Sequence, residues 1–79
     1  MAQVSVRYWA GARAAAGVEE ERLDAASTDD VVAALTARGG ELARVVGLSS
    51  LLVDGNVVRD LVPLADGQVV EVLPPFAGG

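Results

Sequence analysis

The first segment of the chain alternates between apolar and polar positions. The apolar positions are Val4, Val6 and Tyr8, and the positions that follow each of them are Ser5, Arg7 and Trp9. Successive side chains of a β-strand point to opposite faces of the sheet, so this pattern predicts a half-buried strand. The same alternation places Trp9 on the outward face.

An alanine-rich segment and a glutamate run come next. Residues 11–16 end at Gly17, which predicts a short helical turn or loop closed by a residue that can adopt a positive φ. Residues 19–23 begin with three glutamates, and glutamate is a poor strand former. We interpret this segment as a second strand at a solvent-exposed edge.

The main helix is predicted to begin at the N-cap Ser27. Asp29 and Asp30 lie in its first turn, where acidic side chains complement the helix dipole. Its apolar face consists of Val31, Val32 and Leu35. Gly39-Gly40 supplies the helix stop, and residues 41–46 are expected to add a short helix.

The second half of the chain has the composition of strands separated by glycine turns. Residues 48–53 favour a strand, and Asp54-Gly55 predicts a tight hairpin to residues 57–58, because both central positions favour positive φ. Asp66-Gly67 marks another turn before the last strand, residues 69–73. In that strand Val70 and Val72 share one face, and Val69, Glu71 and Leu73 share the other.

The element order is strand, strand, helix, hairpin, strand. It predicts an α+β fold in which one main helix covers a mixed sheet of four or five strands, as in the β-grasp (ubiquitin-like) arrangement. We expect residues 1–79 to form one domain, with residues 74–79 as an extended C-terminal tail.

Composition excludes most side-chain chemistry. The sequence contains no Cys, His or Lys, so it offers no thiolate, no imidazole base, no Schiff-base amine and no ordinary zinc site. No metal is expected. An enzyme built from carboxylates, hydroxyls and arginines alone is improbable in 79 residues, so we do not expect this chain to be an enzyme on its own.

The charge and the N-terminal segment bear on partners and location. A net charge of −5 with scattered arginines opposes nucleic-acid binding and favours a basic protein surface as partner. Arg7 and Arg13 interrupt the apolar run of residues 1–17, which therefore resembles neither a signal peptide nor a membrane span. We expect a cytoplasmic protein that does not bind membranes.

The C-terminal tail is the most distinctive part of the sequence. Pro74 and Pro75 favour a stiff, extended path, and six residues reach at most about 20 Å. Gly78-Gly79 has no side chain and could pass through a narrow channel in a partner. The alternative is an inert, frayed terminus that happens to contain glycine.

The terminal carboxylate is a candidate reactive group. A free carboxylate is a poor electrophile, so a partner must activate it, typically as an acyl-adenylate, before a sulfur nucleophile can displace the nucleotide. The product would be a thiocarboxylate. Such chemistry would allow a chain without cysteine to deliver sulfur.

The chain resembles the MoaD/ThiS family of ubiquitin-like sulfur carriers, and within it the small (sulfur carrier) subunits of molybdopterin synthase. The resemblance covers nearly the whole chain and rests on three segments: residues 4–10 with Ala12-Arg13 and Gly17, the turn at residues 65–67, and above all the ending at residues 73–79. Phe76 stands where a smaller residue is frequent in the family, which bears on partner choice.

The resemblance implies the fold, the chemistry and the partners. It implies a β-grasp fold and adenylation of Gly79, next to Gly78, by a separate ubiquitin-activating-type adenylyltransferase that uses ATP. A sulfur donor enzyme would then supply sulfur, which passes to a pterin precursor held by the large, catalytic subunit of molybdopterin synthase. The chain itself binds no cofactor in this interpretation. The implied partner-binding residues are Trp9, Arg13, Leu73, Pro74, Pro75, Phe76 and Ala77.

Three alternatives remain open from the sequence. The same carrier chemistry could serve thiamine or another sulfur-containing metabolite. The chain could be a ubiquitin-like modifier that joins Gly79 to target lysines, although without lysine it could not form chains through its own side chains. It could also be a β-grasp interaction domain with an inert tail.

Overall fold

The computed structural model describes residues 1–75, which form five strands and three helices. In chain order the elements are β1 (Ala2–Tyr8), α1 (Ala10–Ala16), β2 (Glu20–Ala25), α2 (Thr28–Thr36), α3 (Gly40–Leu48), β3 (Ser50–Val53), β4 (Asn56–Val58) and β5 (Val69–Leu73). None of these helices is long and apolar enough to cross a bilayer.

The strands form one mixed sheet in the order β2-β1-β5-β3-β4. β1 and β5 are parallel at its centre, while β1–β2, β3–β5 and β3–β4 are antiparallel. The first and last strands of the chain are therefore neighbours, and the five-stranded sheet confirms the predicted β-grasp fold.

The helices cover one face of the sheet. Inward-facing residues of β1 and β5 pack there against residues of all three helices, as strand and helix periodicity predict. The fully buried large side chains are Leu35, Val4, Val6, Val31, Val70 and Val72. Within residues 1–75 no helix covers the opposite face of the sheet, so its side chains face away from the helical layer.

The hairpin between β3 and β4 has the predicted turn. Asp54 adopts a φ of 48° and Gly55 a φ of 86°. Asp54 also accepts hydrogen bonds from the backbone N–H of Val69 (3.0 Å) and from Nε2 of Gln68 (2.9 Å). Both hydrogen bonds hold the pKa of Asp54 below its usual value, and the one from Val69 has the larger effect. The turn is therefore tied to the start of β5.

The second and third helices differ in length from the predicted main helix and short helix. α2 and α3 are nine residues each. α2 ends at Thr36 with Ala37 as its C-cap, before the glycine pair is reached. Gly39 (φ 68°) is the N-cap of α3 and Gly40 (φ 60°) is its first residue, so the pair starts the next helix and is not the predicted stop of the first. Positive φ at both positions lets the chain change direction without strain. β2 starts one residue later than expected and extends to Ala25, because Ala25 pairs with Ala2 and is buried.

A polar network joins β1, β2 and the end of α2. The buried Tyr8 hydroxyl donates to Oε2 of Glu21 (2.5 Å), and the Arg38 guanidinium donates to both oxygens of the same carboxylate at 2.7 and 2.5 Å. Arg38 holds the pKa of Glu21 below its usual value. Burial, and then the bond to Glu21, raise the pKa of Tyr8. β2 is an edge strand of the sheet, as predicted, but Glu21 of its glutamate run faces inward.

Replacing Arg38 tests this network. We expect Arg38→Gln to lower the free energy of unfolding by about 1 kcal/mol at pH 7, a modest value because the Arg38 side chain is 39% exposed. Since the pKa of Glu21 is lowered on folding, the stabilisation is complete above the unfolded value of about 4.3 and is lost as pH falls through the folded value. The deficit of the variant should therefore shrink below about pH 4. Urea unfolding across this range measures it.

Arg44→Gln is the matched control for that experiment. Arg44 pairs with Glu41 on the exposed surface of α3, so its replacement should cost less than that of Arg38. Equal losses in the two variants, or a deficit for Arg38→Gln that does not change with pH, would contradict the stabilising role assigned to Glu21.

Candidate functional site

The C-terminal tail leaves the fold beside the end of β1. Tyr8 is in register with Val72, and the backbone N–H of Trp9 donates to the carbonyl of Val72 at 3.2 Å. Pro74 is buried and Pro75 is exposed. Phe76, Ala77, Gly78 and Gly79 lie outside the described residues, so their predicted roles stay predictions. Pro74, buried against the fold, offers a partner little surface.

The uncovered sheet face has a charged half and an apolar half. One cross-strand row shows the division, and its members from β2 to β4 are Glu20, Arg7, Glu71, Leu52 and Val57. We define the outer patch as Glu71 and the apolar side chains on the β5, β3 and β4 side of this face, together with Trp9. Its members are Trp9, Leu52, Val57, Val69, Glu71 and Leu73. Clusters of exposed apolar side chains mark interaction sites.

Trp9 is held at the border between the two halves. It lies just after β1 as the N-cap of α1, with extended backbone angles. Its indole Nε1 donates to Oε2 of Glu71 at 2.8 Å, and the guanidinium carbon of Arg7 lies 5.5 Å from the ring centroid. The side chain remains 42% exposed. Trp9 is therefore a fixed, accessible aromatic group beside the point where the tail departs, as the alternation of β1 predicted.

Arg13 lies next to this region but is already paired. It is exposed on α1, and its guanidinium contacts Oε1 of Glu19 at 3.0 Å. A depression of about 120 Å³ separates it from the sheet face and is lined by Arg7, Tyr8, Trp9, Arg13, Glu19 and Glu20. A partner that uses Arg13 must compete with Glu19 or contact the two as a unit.

Glu71 is the site residue that sequence reasoning missed. It lies on β5 between Val69 and Leu73 along the strand, and it is partly exposed. The sequence feature that could have indicated it is a lone carboxylate at an outward position of an otherwise apolar strand. Within residues 1–75 it accepts the indole hydrogen bond but makes no ion pair within 4.0 Å, since Arg7 is directed at Glu20 (3.8 Å).

The described part of the chain presents a surface suited to recognition. No group of three or more metal-ligating side chains comes together in residues 1–75. The outer patch has apolar side chains, one indole and one carboxylate, which are features of a protein-binding face.

The ThiS family model matches residues 6–79, nearly the whole chain and its Gly-Gly end. The chain belongs to the ThiS family. A similar protein is the molybdopterin synthase sulfur carrier subunit of Chlamydomonas reinhardtii, which is 34% identical over 82 residues, spanning 98% of this chain and 99% of the relative. This ThiS-family chain therefore has the family membership that its sequence indicated.

Two solved structures resemble this ThiS-family chain closely. Small archaeal modifier protein 1 from Methanosarcina acetivorans has a TM-score of 0.85 and 30% identity, with 100% of this chain and 98% of that one covered. The complex of subunits 1 and 2 of molybdopterin-converting factor from Helicobacter pylori has a chain with a TM-score of 0.78 and 26% identity, with 98% and 99% covered. Both support the β-grasp fold.

Fluorescence can test how Glu71 holds Trp9, because this is the only tryptophan in the chain. Glu71→Gln keeps an oxygen that can accept the indole hydrogen bond, so the emission and its quenching by acrylamide should stay unchanged. Glu71→Leu removes the acceptor and should make the indole more mobile, with stronger quenching and lower anisotropy. The free energy of unfolding should change by less than about 0.5 kcal/mol, as at most surface sites. Identical quenching in both variants would show that the hydrogen bond does not fix the ring.

Proposed function

We propose that this chain is a sulfur carrier in molybdenum cofactor biosynthesis. The observation that carries the proposal is the ThiS-family match, which runs to the terminal Gly79 and is joined by a full-length relative named as a molybdopterin synthase sulfur carrier subunit. The chain supplies sulfur, and its partners perform the catalysis.

The proposed chemistry uses the main-chain carboxylate of Gly79. In the first step a partner adenylyltransferase joins this carboxylate to the AMP part of ATP and releases pyrophosphate. In the second, the terminal sulfur of a persulfide on a donor enzyme attacks the acyl carbon, and AMP leaves with the bonding electron pair. A thiol then attacks the donor side of the resulting acyl disulfide, which releases the thiocarboxylate and leaves a disulfide on the donor. The thiocarboxylate sulfur then attacks an electrophilic carbon of the pterin precursor and displaces an oxygen leaving group. Water attacks the acyl carbon of the resulting thioester and breaks its acyl C–S bond, which leaves the sulfur on the pterin and returns the Gly79 carboxylate. No step requires a nucleophilic side chain of this chain, which has no Cys, His or Lys.

The fold supports the use of this carboxylate by another protein. β5 ends at Leu73, within the outer patch, and the tail starts beside Trp9. A partner docked on the outer patch would therefore have the tail at the edge of its interface. The Helicobacter pylori structure is a complex of the two subunits of molybdopterin-converting factor, and we propose the corresponding large subunit as the partner here.

Removal of Gly79 tests the proposal. When the chain is expressed with its activating enzyme and sulfur donor, we expect intact mass spectrometry to find a species heavier by the difference between one sulfur and one oxygen atom. The variant that ends at Gly78 should give none, and cofactor formation in a strain lacking the native carrier should fall to background. Its thermal midpoint should equal that of the full chain, which serves as the folding control.

Gly79→Ala separates the reactive group from the shape of the tail. This variant keeps a terminal carboxylate but adds a Cβ. It should therefore fold normally, but little of it should be converted to the thiocarboxylate if the channel of the partner admits only glycine. Cofactor formation by the truncated chain at the full-length rate would overturn the carrier proposal.

A second candidate is a ubiquitin-like protein modifier. The likeness to small archaeal modifier protein 1 favours it, because that structure has a TM-score of 0.85 with this chain. A modifier would form covalent adducts that survive denaturing gels and disappear when Gly79 is removed, whereas a carrier would run as free protein. A carrier for thiamine would instead co-purify with a thiazole synthase.

A further inference from the structure

The outer patch contains a single carboxylate, Glu71, which lies between the apolar members of the patch and the charged half of the face. On β5, Glu71 has Val69 and Leu73 as its neighbours on the same face, and across the sheet it lies between Arg7 and Leu52. Its Oε2 accepts the indole hydrogen bond of Trp9. Among residues 1–75 no donor is bonded to its other oxygen, Oε1. This arrangement is unusual for a docking surface, because charged residues are depleted from interface cores.

We propose that Glu71 is a specificity-determining residue of this face, and that the protein docking there presents an arginine or lysine to it within an otherwise apolar contact. The inference rests on the proposed function, since it concerns the partner that receives the tail. It adds to that function a chemical requirement on the partner surface.

Desolvation is the physical basis of the requirement. A partner that covers the outer patch removes water from Glu71, and a carboxylate removed from water is strongly destabilised unless it gains a charged or hydrogen-bonded partner. The indole of Trp9 satisfies one oxygen but carries no formal charge. A wholly apolar partner surface would therefore be rejected, although it would suit Leu52, Val57 and Leu73.

The chain does not supply this cation itself. Arg7 is the cross-strand neighbour of Glu71, but its Nε lies 3.8 Å from Glu20 and its guanidinium lies over Trp9. Arg13 is paired with Glu19 at 3.0 Å. The two nearby arginines are therefore directed at the glutamates of the β2 side. The net charge of −5 further favours a partner with a basic surface.

Planar geometry favours arginine over lysine. The indole hydrogen bond engages Oε2 of the Glu71 carboxylate, and no donor within residues 1–75 engages Oε1. A guanidinium can bond this oxygen and stack on the exposed face of Trp9 at once, whereas an ammonium acts as a point charge.

Binding of the full-length chain to the purified large subunit of molybdopterin synthase from the same organism tests the inference. Glu71→Gln removes the charge but keeps the size and an oxygen for Trp9. We expect it to weaken binding by about tenfold or more, as for truncation of a buried charge pair. Glu71→Arg should weaken binding further, because it places two cations together. Calorimetric titration at several salt concentrations should also show that the dissociation constant of Glu71→Gln depends less steeply on salt than that of the unchanged chain.

Glu41→Gln is the control for net charge. It makes the same chemical change on α3, on the helix-covered side of the sheet, and should leave the affinity within about twofold because only a distant charge is lost. The fluorescence of free Glu71→Gln tells whether Trp9 has kept its position, so a weaker complex with unchanged quenching reports the lost charge.

Two outcomes would overturn the inference in different ways. If Glu71→Gln binds as tightly as the unchanged chain, the partner presents no cation to this residue and the inference alone is wrong. If the unchanged chain does not bind the large subunit, the proposed function loses its partner and the inference falls with it.

Discussion

The parallel pairing of β1 with β5 is the constraint on which the rest of the structure depends. It brings the first and last strands together at the centre of the sheet, where Val6 pairs with Val70 and Tyr8 with Val72. Both strands bury one face beneath the helices and leave the other uncovered. Because β5 is the last strand of residues 1–75, it ends in the middle of the sheet, beside Trp9. The end of the last described strand and the uncovered sheet face are thus placed together by topology alone.

Local patterns were sufficient to predict most of this architecture. Alternation in β1 and β5 gave the buried valines and the outward position of Trp9, and Asp54-Gly55 gave the hairpin, since both signals act over a few residues. The division of the helical segment into α2 and α3 was less visible, because a glycine pair can end one helix or begin another depending on the path that packing requires.

Contacts between distant segments could not be predicted from such patterns. The bond from Trp9 to Glu71 spans 62 residues, and that from Arg38 to Glu21 spans 17. Each depends on strand order and register, which periodicity does not specify. The sequence therefore did not single out Glu71 as a partner of Trp9, although alternation placed Trp9 and Leu73 correctly on the outward face. The tail was singled out by its chemistry, because the rest of the chain has no comparable reactive group.

On the uncovered sheet face, different side chains provide affinity for a partner and selectivity between partners. Leu52, Val57 and Leu73 gain free energy from burial against almost any apolar surface, so by themselves they would favour many partners. The Glu71 carboxylate among them narrows this choice of partners, because burying it against a surface without a positive charge costs free energy. Selectivity therefore arises from this cost as much as from the attraction to the correct partner. A carrier that must receive sulfur from one set of proteins and deliver it to another would need this selectivity. The requirement on Glu71 would then apply to each protein that docks on this face to receive the tail.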